Sequence, residues 1–519
     1  MFDLLIQNGC VIDGTGGPAR RMDVGITGDR IAALDDLSKA EAKSTLDAQG
    51  LVVAPGFIDA HSHSDAYLLI EPDAPSKLTQ GITTEINGQC GGSAAPRLGQ
   101  ARLPSDWASR LGASTSCTLA EYRALFAQAA PAINAIPFVG HNTLRAGVMG
   151  YEPREATAAE TAEMGRRLEQ ALDEGGWGLS TGLLYQPGKY AAEAEVETLA
   201  RVVARKGGIY ASHIRNEGDT LLESIDEVLR LARATGVQVQ VSHLKTASPH
   251  NWHKITALLD TLNAARAEGL NVQADRYPYL ASGTDLDVIL PDWASAGGRE
   301  AILANLRDPS RRLRIERELD ERAADWSAVM IGGGWSEEAR AHSGRTVTEA
   351  AQALGLTPGQ TACRLIDLDD TRTGAFFFGM SEENLLRIYA EPWVMPGSDA
   401  SLRAPWGVLG DDHPHPRAYG TMPRFLRLMT ARLCTLETAI RRMTALPAET
   451  FGIAGRGVLR PGAYADIALF DPAAFRDTAT YAKPHYFAEG IRHVIVNGAL
   501  AYTQGQFTGK RRGRLLTRD

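Results

Sequence analysis

The pattern of apolar and polar positions divides this chain of 519 residues into three parts. Over residues 3–54, short apolar runs (Leu4-Leu5-Ile6, Val11-Ile12, Val24-Gly25-Ile26, Arg30-Ile31-Ala32) are separated by turn residues such as Asp13-Gly14-Thr15-Gly16-Gly17. Short runs between Gly- and Asp-rich turns predict a small β unit. A similar piece closes the chain: Gly457-Val458-Leu459, the stretch from Ala465 to Asp471, and Val494-Ile495-Val496. Two β-rich ends around a long middle are expected to pack together as one small sandwich.

The middle alternates strand-like and helical patterns. Candidate strands are 51–58, Ile82–Ile86, Ile136–Val139, Trp177–Ser180, Ile209–Ser212, Val237–Ser242, Asn271–Asp275 and Trp393–Pro396. Helical spacing is clearest in 157–174, 192–206, 218–235 and 254–268. Eight such units predict an α/β fold, a TIM-like (β/α)8 barrel flanked by a β-sandwich built from both chain ends. The interval 277–392 is too long for one loop and helix, and it contains predicted helices from Ile315 to Ala324 and from Val347 to Leu354. It is expected to be a lid or subdomain inserted between strands seven and eight. The expected division is 1–54 for the N-terminal part of the sandwich, 55–450 for the barrel with its insertion at about 283–390, and 451–519 for the C-terminal part. The basic tail from Lys510 to Arg514 reads as a solvated end.

Composition narrows the function classes. Apolar residues make up 44% and charged residues 22%, a globular balance. The net charge is −8 without a basic block, which argues against nucleic acid or an anionic membrane as partner. The start, Met1-Phe2-Asp3-Leu4-Leu5-Ile6, has no basic region, and no apolar run reaches the roughly 18 residues of a membrane span. Five cysteines (Cys10, Cys90, Cys117, Cys363, Cys434) are few, odd in number and irregularly spaced, as expected in a reducing cytoplasm. Nothing in the sequence signals an oligomeric state.

In a barrel of this kind the chemistry sits where strands end at the C-terminal face. Strand one ends in His61 and His63, which two-residue periodicity puts on one side. Cys90 follows strand two, His213 ends strand five, His243 ends strand six and Asp399 follows strand eight. Each alone has an ordinary alternative: a hydrogen-bonded structural histidine, a small buried thiol, a capping aspartate. Together they are metal-ligand residue types delivered to one rim by five strands, which points to a divalent metal. His141, after strand three, is either structural or a contact to ligand or substrate. His250, His253, His413 and His415 sit in loops and are not expected to ligate.

Gly56-Phe57-Ile58-Asp59-x-His61-x-His63, with Pro461-Gly462-x-x-Ala465-Asp466, resembles the amidohydrolase superfamily. Finer motifs are similar to its N-acyl-D-amino-acid deacylase (D-aminoacylase) family. They are Asn87-Gly88-Gln89-Cys90-Gly91, Gly178-Leu179-Ser180-Thr181-Gly182-Leu183, Ser212-His213-Ile214-Arg215-Asn216-Glu217, Ser242-His243-Leu244-Lys245, Tyr277-Pro278-Tyr279, Gly397-Ser398-Asp399 and His415-Pro416-Arg417-x-x-Gly420-Thr421. The resemblance implies a tight zinc site at Cys90, His213 and His243, and a weaker second site at His61 and His63 with Cys90 as bridge. It implies Asp399 as the catalytic base, and a small N-acyl amino acid as substrate.

A cationic clamp is needed for the substrate carboxylate, and the resemblance points to Arg417. Lys245, Tyr277 and Ser282 resemble the pocket around the amino-acid side chain, and Tyr185 is a candidate donor to the oxyanion. Asp292, were it to face that pocket, would disfavour acidic side chains and leave an apolar or neutral D-side chain as the expectation. Two alternatives are a cyclic amidase of hydantoinase or dihydropyrimidinase type and a non-catalytic scaffold. Strand four ends in Ser180-Thr181 with no lysine before Lys189, which speaks against the first; the intact set of candidate ligands speaks against the second.

Overall fold

A computed structural model describes residues 1–102, 116–322 and 325–518. It joins the two ends of the chain in one nine-stranded sheet. Leu4–Val11 runs antiparallel to Arg20–Thr27 and parallel to Val52–Pro55. Ile467–Phe470 then pairs antiparallel with Val52–Pro55, Ile467 opposite Pro55 and Phe470 opposite Val52. The alternating apolar positions meet on one side, where Ile6, Val24, Ile26, Val53, Ile467, Leu469 and Ile495 form a common core. Gly457-Val458-Leu459, read as a strand, is irregular chain, though the Leu459 amide still donates to the Asp13 carbonyl at 2.9 Å.

The middle of the chain forms parallel strands in sequence order. Phe57–Asp59, Ile82–Asn87 and Asn134–Pro137 make one sheet. Val139–Gly140, Gly178–Gly182, Ile209–His213, Gln238–Val241, Val272–Arg276 and Val394–Pro396 make the next. The predicted third strand is thus split at Phe138, whose amide donates to the Asn87 carbonyl at 3.0 Å. The first and last of these strands approach each other: the Ala60 amide lies 3.4 Å from the Pro396 carbonyl, and Ser62 bridges in parallel to Ala400. Nearly every residue in these strands is buried, as near-continuous apolar runs require when both faces are covered.

Helices lie between the strands for local reasons that the sequence carries. Ala158–Asp173 opens on a capping box of Thr157 and Glu160. Leu221–Thr235 buries Leu221, Ile225, Val228, Leu229 and Ala232 on one face and closes on Gly236, at φ +70°. Glu193–Arg205 and Ile255–Ala267 follow the same logic.

The stretch between Arg276 and Val394 contains its own three-stranded antiparallel sheet, Ala281–Asp285, Gly374–Phe378 and Val329–Ile331. Leu286, Ile302, Leu306, Ile315, Leu319, Val347, Leu365 and Ile366 form a separate apolar core there. Its helix Pro309–Glu321 begins earlier than the Ile315 start expected, because the Asp308 side chain caps the amides of Ser310 and Arg311 and Pro309 suits a first turn. The expected end at Ala324 lies outside the described residues. The basic residues Lys510, Arg511, Arg512 and Arg514 are exposed, as a solvated end requires, but the backbone from Gly513 onward is paired. The Gly513 amide donates to Pro131 (2.7 Å), Ala135 to Arg514 (2.9 Å) and Leu516 back to Ala135 (2.8 Å), so the tail continues the sheet beside Asn134–Pro137. The open hydrogen-bonding groups of that strand outweigh the hydration of the tail backbone.

Candidate metal centre

Strand ends and the turns after them bring six side chains to one place. The Cys90 Sγ lies 3.4 Å from both His61 Nε2 and His243 Nε2. Asp399 Oδ1 is 3.0 Å from His63 Nε2 and 3.3 Å from His61 Nε2. The His213 and His243 rings pack edge to face with centroids 4.4 Å apart. Donor atoms fall into two overlapping sets, His61, His63, Cys90, Asp399 and Cys90, His213, His243, each within 4.8 Å. Cys90 belongs to both.

The backbone is bent to achieve this. Cys90, His243 and Asp399 have φ of +52°, +37° and +49°, left-handed conformations that cost a non-glycine residue of order 1–3 kcal/mol and that cluster at functional sites. Gly397 lets two strand ends close up, since a Cβ there would stand 2.7 Å from that of His61.

Behind the imidazoles stand partners that sequence reasoning missed. Asp275 Oδ1 is 3.1 Å from His61 Nδ1 and also accepts the His243 amide at 2.9 Å. Glu217 Oε1 is 2.8 Å from His243 Nδ1 and pairs with Lys245 Nζ, itself 2.8 Å from that nitrogen. Such carboxylates hold imidazoles in one tautomer and orientation. Asp275 at the end of a strand and Glu217 four residues after His213 were the available signals.

The cluster attracts positive charge. Burial opposes a thiolate at Cys90, but the neighbouring His61 and His243 hold the thiol well below its ordinary value. Burial likewise opposes ionisation of Asp399 and Glu217, yet Arg417 beside the first and Lys245 beside the second keep both well below the usual carboxylate range. His243 is pushed up to about 10: burial and Lys245 work against it, while Glu217 and Cys90 prevail. A divalent cation is the charge complement of such a set and competes with protons for the same nitrogens. Among the described residues neither ring nitrogen of buried His213 has a hydrogen-bond partner, and thiolate with imidazole is a zinc-type donor set. The residues present fit a divalent metal.

A cavity of about 700 Å³ opens beside this cluster, lined by His63, Asp399 and Arg417 on one side and by Thr284, Trp335 and Phe376 of the insertion on the other. Of the five candidates for substrate contact, Arg417 is in its wall. Its Nη1 is 2.8 Å from Asp399 Oδ2, Nη2 donates to the Gly283 carbonyl at 3.3 Å, and Nε is buried without a partner among the described residues. Tyr277 lies between cations, its ring centroid 4.1 Å from Arg276 and 4.6 Å from Arg417, and its buried hydroxyl has no partner among the described residues. The Tyr185 ring packs on His213 at 4.9 Å; its hydroxyl bonds to Thr284, and burial holds it well above the ordinary phenol value and therefore protonated. Ser282 is half-buried opposite Phe377, and its neighbours Gly283 and Thr284 form the wall instead.

Asp292 does not face this pocket. Its side chain is 90% exposed and pairs with Lys189 at 2.8 Å, so the argument against acidic substrates that depended on it falls. His141 is buried against Glu195, Nε2 to Oε1 2.8 Å, beside Arg145. His413 and His415 line the cavity, and burial keeps His415 neutral, with Nδ1 accepting the Arg417 amide. His250 pairs with Asp219 at the surface.

The family model described as "Amidohydrolase family" matches residues 44–321 and 389–502. Over its whole length the chain is 39% identical to an N-acyl-D-glutamate deacylase and 38% identical to a D-aminoacylase, both of Alcaligenes xylosoxydans xylosoxydans, covering 97% and 98% of those proteins. The chain belongs to the N-acyl-D-amino-acid deacylase family of amidohydrolases. An N-acyl-D-aspartate deacylase of the same organism is 37% identical, with 99% of this chain and 95% of that protein covered. Among solved members, a crystal structure of D-aminoacylase superposes with a TM-score of 0.85 at 37% identity, each chain covered completely. That of an N-acyl-D-glutamate deacylase from Bordetella bronchiseptica, complexed with zinc and a phosphonate mimic of the tetrahedral intermediate, superposes at 0.84 with 39% identity and the same coverage. A D-hydantoinase from Thermus sp. shares the fold at 18% identity, with a TM-score of 0.56 and 99% of each chain covered.

Proposed function

We propose that this deacylase-family chain hydrolyses the amide bond of N-acyl-D-amino acids with zinc, releasing a D-amino acid and a carboxylate. The single observation that carries this reading is the convergence on Cys90 of two donor sets, one with His213 and His243 and one with His61, His63 and Asp399, within reach of a cavity walled by Arg417. Cys90, His213 and His243 would hold the tight ion, and His61 and His63 together with Cys90 would hold a second one more weakly. The relatives support this: the glutamate deacylase carries zinc, and a solved D-aminoacylase is described with a binuclear centre, activated by one metal and attenuated by a second. When bound, the ion lowers the pKa of a coordinated water to about 7 and polarises an amide carbonyl.

Asp399 is ionised and buried at the centre, placed to take a proton from the attacking water and return it to the departing nitrogen. An amide nitrogen leaves badly unless protonated, so one carboxylate serves both steps. The Tyr185 hydroxyl, kept protonated, donates to the developing oxyanion. Arg417, through its unpartnered Nε, and the free hydroxyl of Tyr277 receive the substrate carboxylate. Lys245 braces His243 and contributes positive charge to the same corner. Of the cations that line the cavity, Arg417 pairs with Asp399 and Arg403 with Asp412, whereas Arg340 donates to the Trp335 carbonyl at 2.8 Å and Arg372 lies 4.6 Å over the ring of Trp335. Phe376 and neutral His415 add an aromatic wall beside them.

In this reading residues 55–450 form a closed (β/α)8 barrel with its insertion at about 283–390. The Ala60–Pro396 and Ser62–Ala400 contacts are its seam. Residues 1–54 and 451–519 form the sandwich. The five free cysteines suit a reducing cytoplasm. The test is chiral product analysis with racemic N-acetyl-methionine and N-acetyl-leucine on protein of known zinc content. Release of the D-amino acid is expected; release of the L-amino acid alone, or no hydrolysis of any N-acyl amino acid by zinc-loaded protein, would overturn the reading.

A further inference from the structure

On the far side of the same strand ends lies a knot of buried charge that the chemistry above does not use. Lys77, fully buried in the short helix Pro75–Leu78, points its Nζ at Asp59 (2.8 Å), Glu85 (3.1 Å), the Ser62 hydroxyl (3.0 Å) and the Ala400 carbonyl (3.1 Å). Glu85 Oε2 accepts from the Ser62 and Ser64 hydroxyls at 2.8 and 3.0 Å, and Oε1 accepts from Asn87 Nδ2 at 3.0 Å. Asp59 accepts the Ser398 amide at 2.7 Å and its hydroxyl at 2.6 Å. The Ser64 hydroxyl in turn accepts the Leu402 amide at 2.8 Å.

Alternation along the chain makes this arrangement consequential. His61 and His63 face the candidate centre, while Ser62 and Ser64 between and beyond them face the knot. After strand eight, Ser398 and the Ala400 carbonyl enter the knot while Asp399 points to the centre, its amide held by the His61 carbonyl at 2.8 Å. A buried ammonium between two carboxylates tolerates little displacement, because any group pulled out of register is left charged and unpaired. The other side of the centre is braced separately: Glu217 and Lys245 hold His243 through its Nδ1.

We infer that Lys77 and Glu85 are positioning residues, which set His61, His63 and Asp399 against Cys90 without touching substrate or ion. They govern the second metal position and the placement of the base, and leave the Cys90–His213–His243 set intact. The inference rests on the hydrolase reading for its kinetic arm alone. Glu85→Gln keeps the shape and removes the charge; Lys77→Met with Glu85→Gln removes the ion pair together, in case the single change does not fold. Each variant and the parent are loaded with cobalt by titration. Metal per chain, the thiolate-to-cobalt absorption band, kcat and KM for N-acetyl-D-methionine and the melting temperature are then measured.

The expected result is one retained equivalent with an unchanged thiolate band, lost uptake of the second, and a 10- to 100-fold fall in kcat with KM within about twofold. Full uptake of both equivalents with parental kcat would overturn the inference. So would loss of the thiolate band in step with melting, the signature of a residue that merely holds the fold together. If the parent hydrolyses no N-acyl-D-amino acid, the hydrolase reading fails while the metal stoichiometry still decides this inference.

Discussion

Replacing Arg417 with methionine separates two duties that one guanidinium performs. In the structure its Nη1 sits 2.8 Å from Asp399 Oδ2, with 7% and 11% of the two side chains exposed. Removing one partner of a buried pair leaves the other charged and unpaired, at a cost of about 3–5 kcal/mol of stability. The sign for Asp399 follows from its causes. Burial raises its pKa, and Arg417 is the largest of the groups that hold it well below the usual range. Because the folded pKa is depressed, Asp399 contributes stability above the ordinary carboxylate pKa, lost as pH falls through the folded value. Without Arg417 that value rises, so the acid limb of kcat/KM moves to higher pH.

The second duty is substrate binding. A charge-assisted hydrogen bond to the substrate carboxylate is worth about 1.5–3 kcal/mol, or roughly 10- to 150-fold in kcat/KM. Arg417→Lys restores the charge as a single point and falls between the two. The assay is a pH profile of kcat/KM for N-acetyl-D-methionine and for its C-terminal amide. The amide lacks the carboxylate, so it should lose the acid-limb effect least and the binding effect most. An unmoved acid limb together with undiminished preference for the free acid would refute both arguments.

Other outcomes follow from the same geometry. Asp399→Asn should lower kcat by about 10²- to 10⁴-fold while metal content measured by atomic emission stays at the parental level. Cys90→Ala should lose both metal positions, because Sγ belongs to each donor set; retention of one ion per chain would exclude it as a ligand. Deleting residues 511–519 should lower stability by roughly 2 kcal/mol, at about 1 kcal/mol for each of the two backbone hydrogen bonds to the Asn134–Pro137 strand, read from the urea midpoint.

The strands and most helices were legible because burial on both faces leaves apolar runs and caps leave Thr-x-x-Glu signatures, as at Thr157 and Glu160. Helix starts moved where a cap outweighed periodicity, by six residues at Asp308, from Ile315 to Pro309. The exposed charges of the tail were legible but its backbone pairing was not, because its partner Ala135 lies far away in the chain. Asp292 was misplaced for the same reason, since its partner Lys189 comes from another strand-to-helix connection.

By itself the sequence determined which residue types stand at the strand ends, because two-residue periodicity and strand length are local properties. It also carried the motifs that mark the deacylase family. Only the tertiary structure decided that Glu217 and Asp275 stand behind the imidazoles and that Arg417 faces Asp399. Those are distances between segments remote in the chain, set by packing and by burial of charge, and no local pattern encodes them.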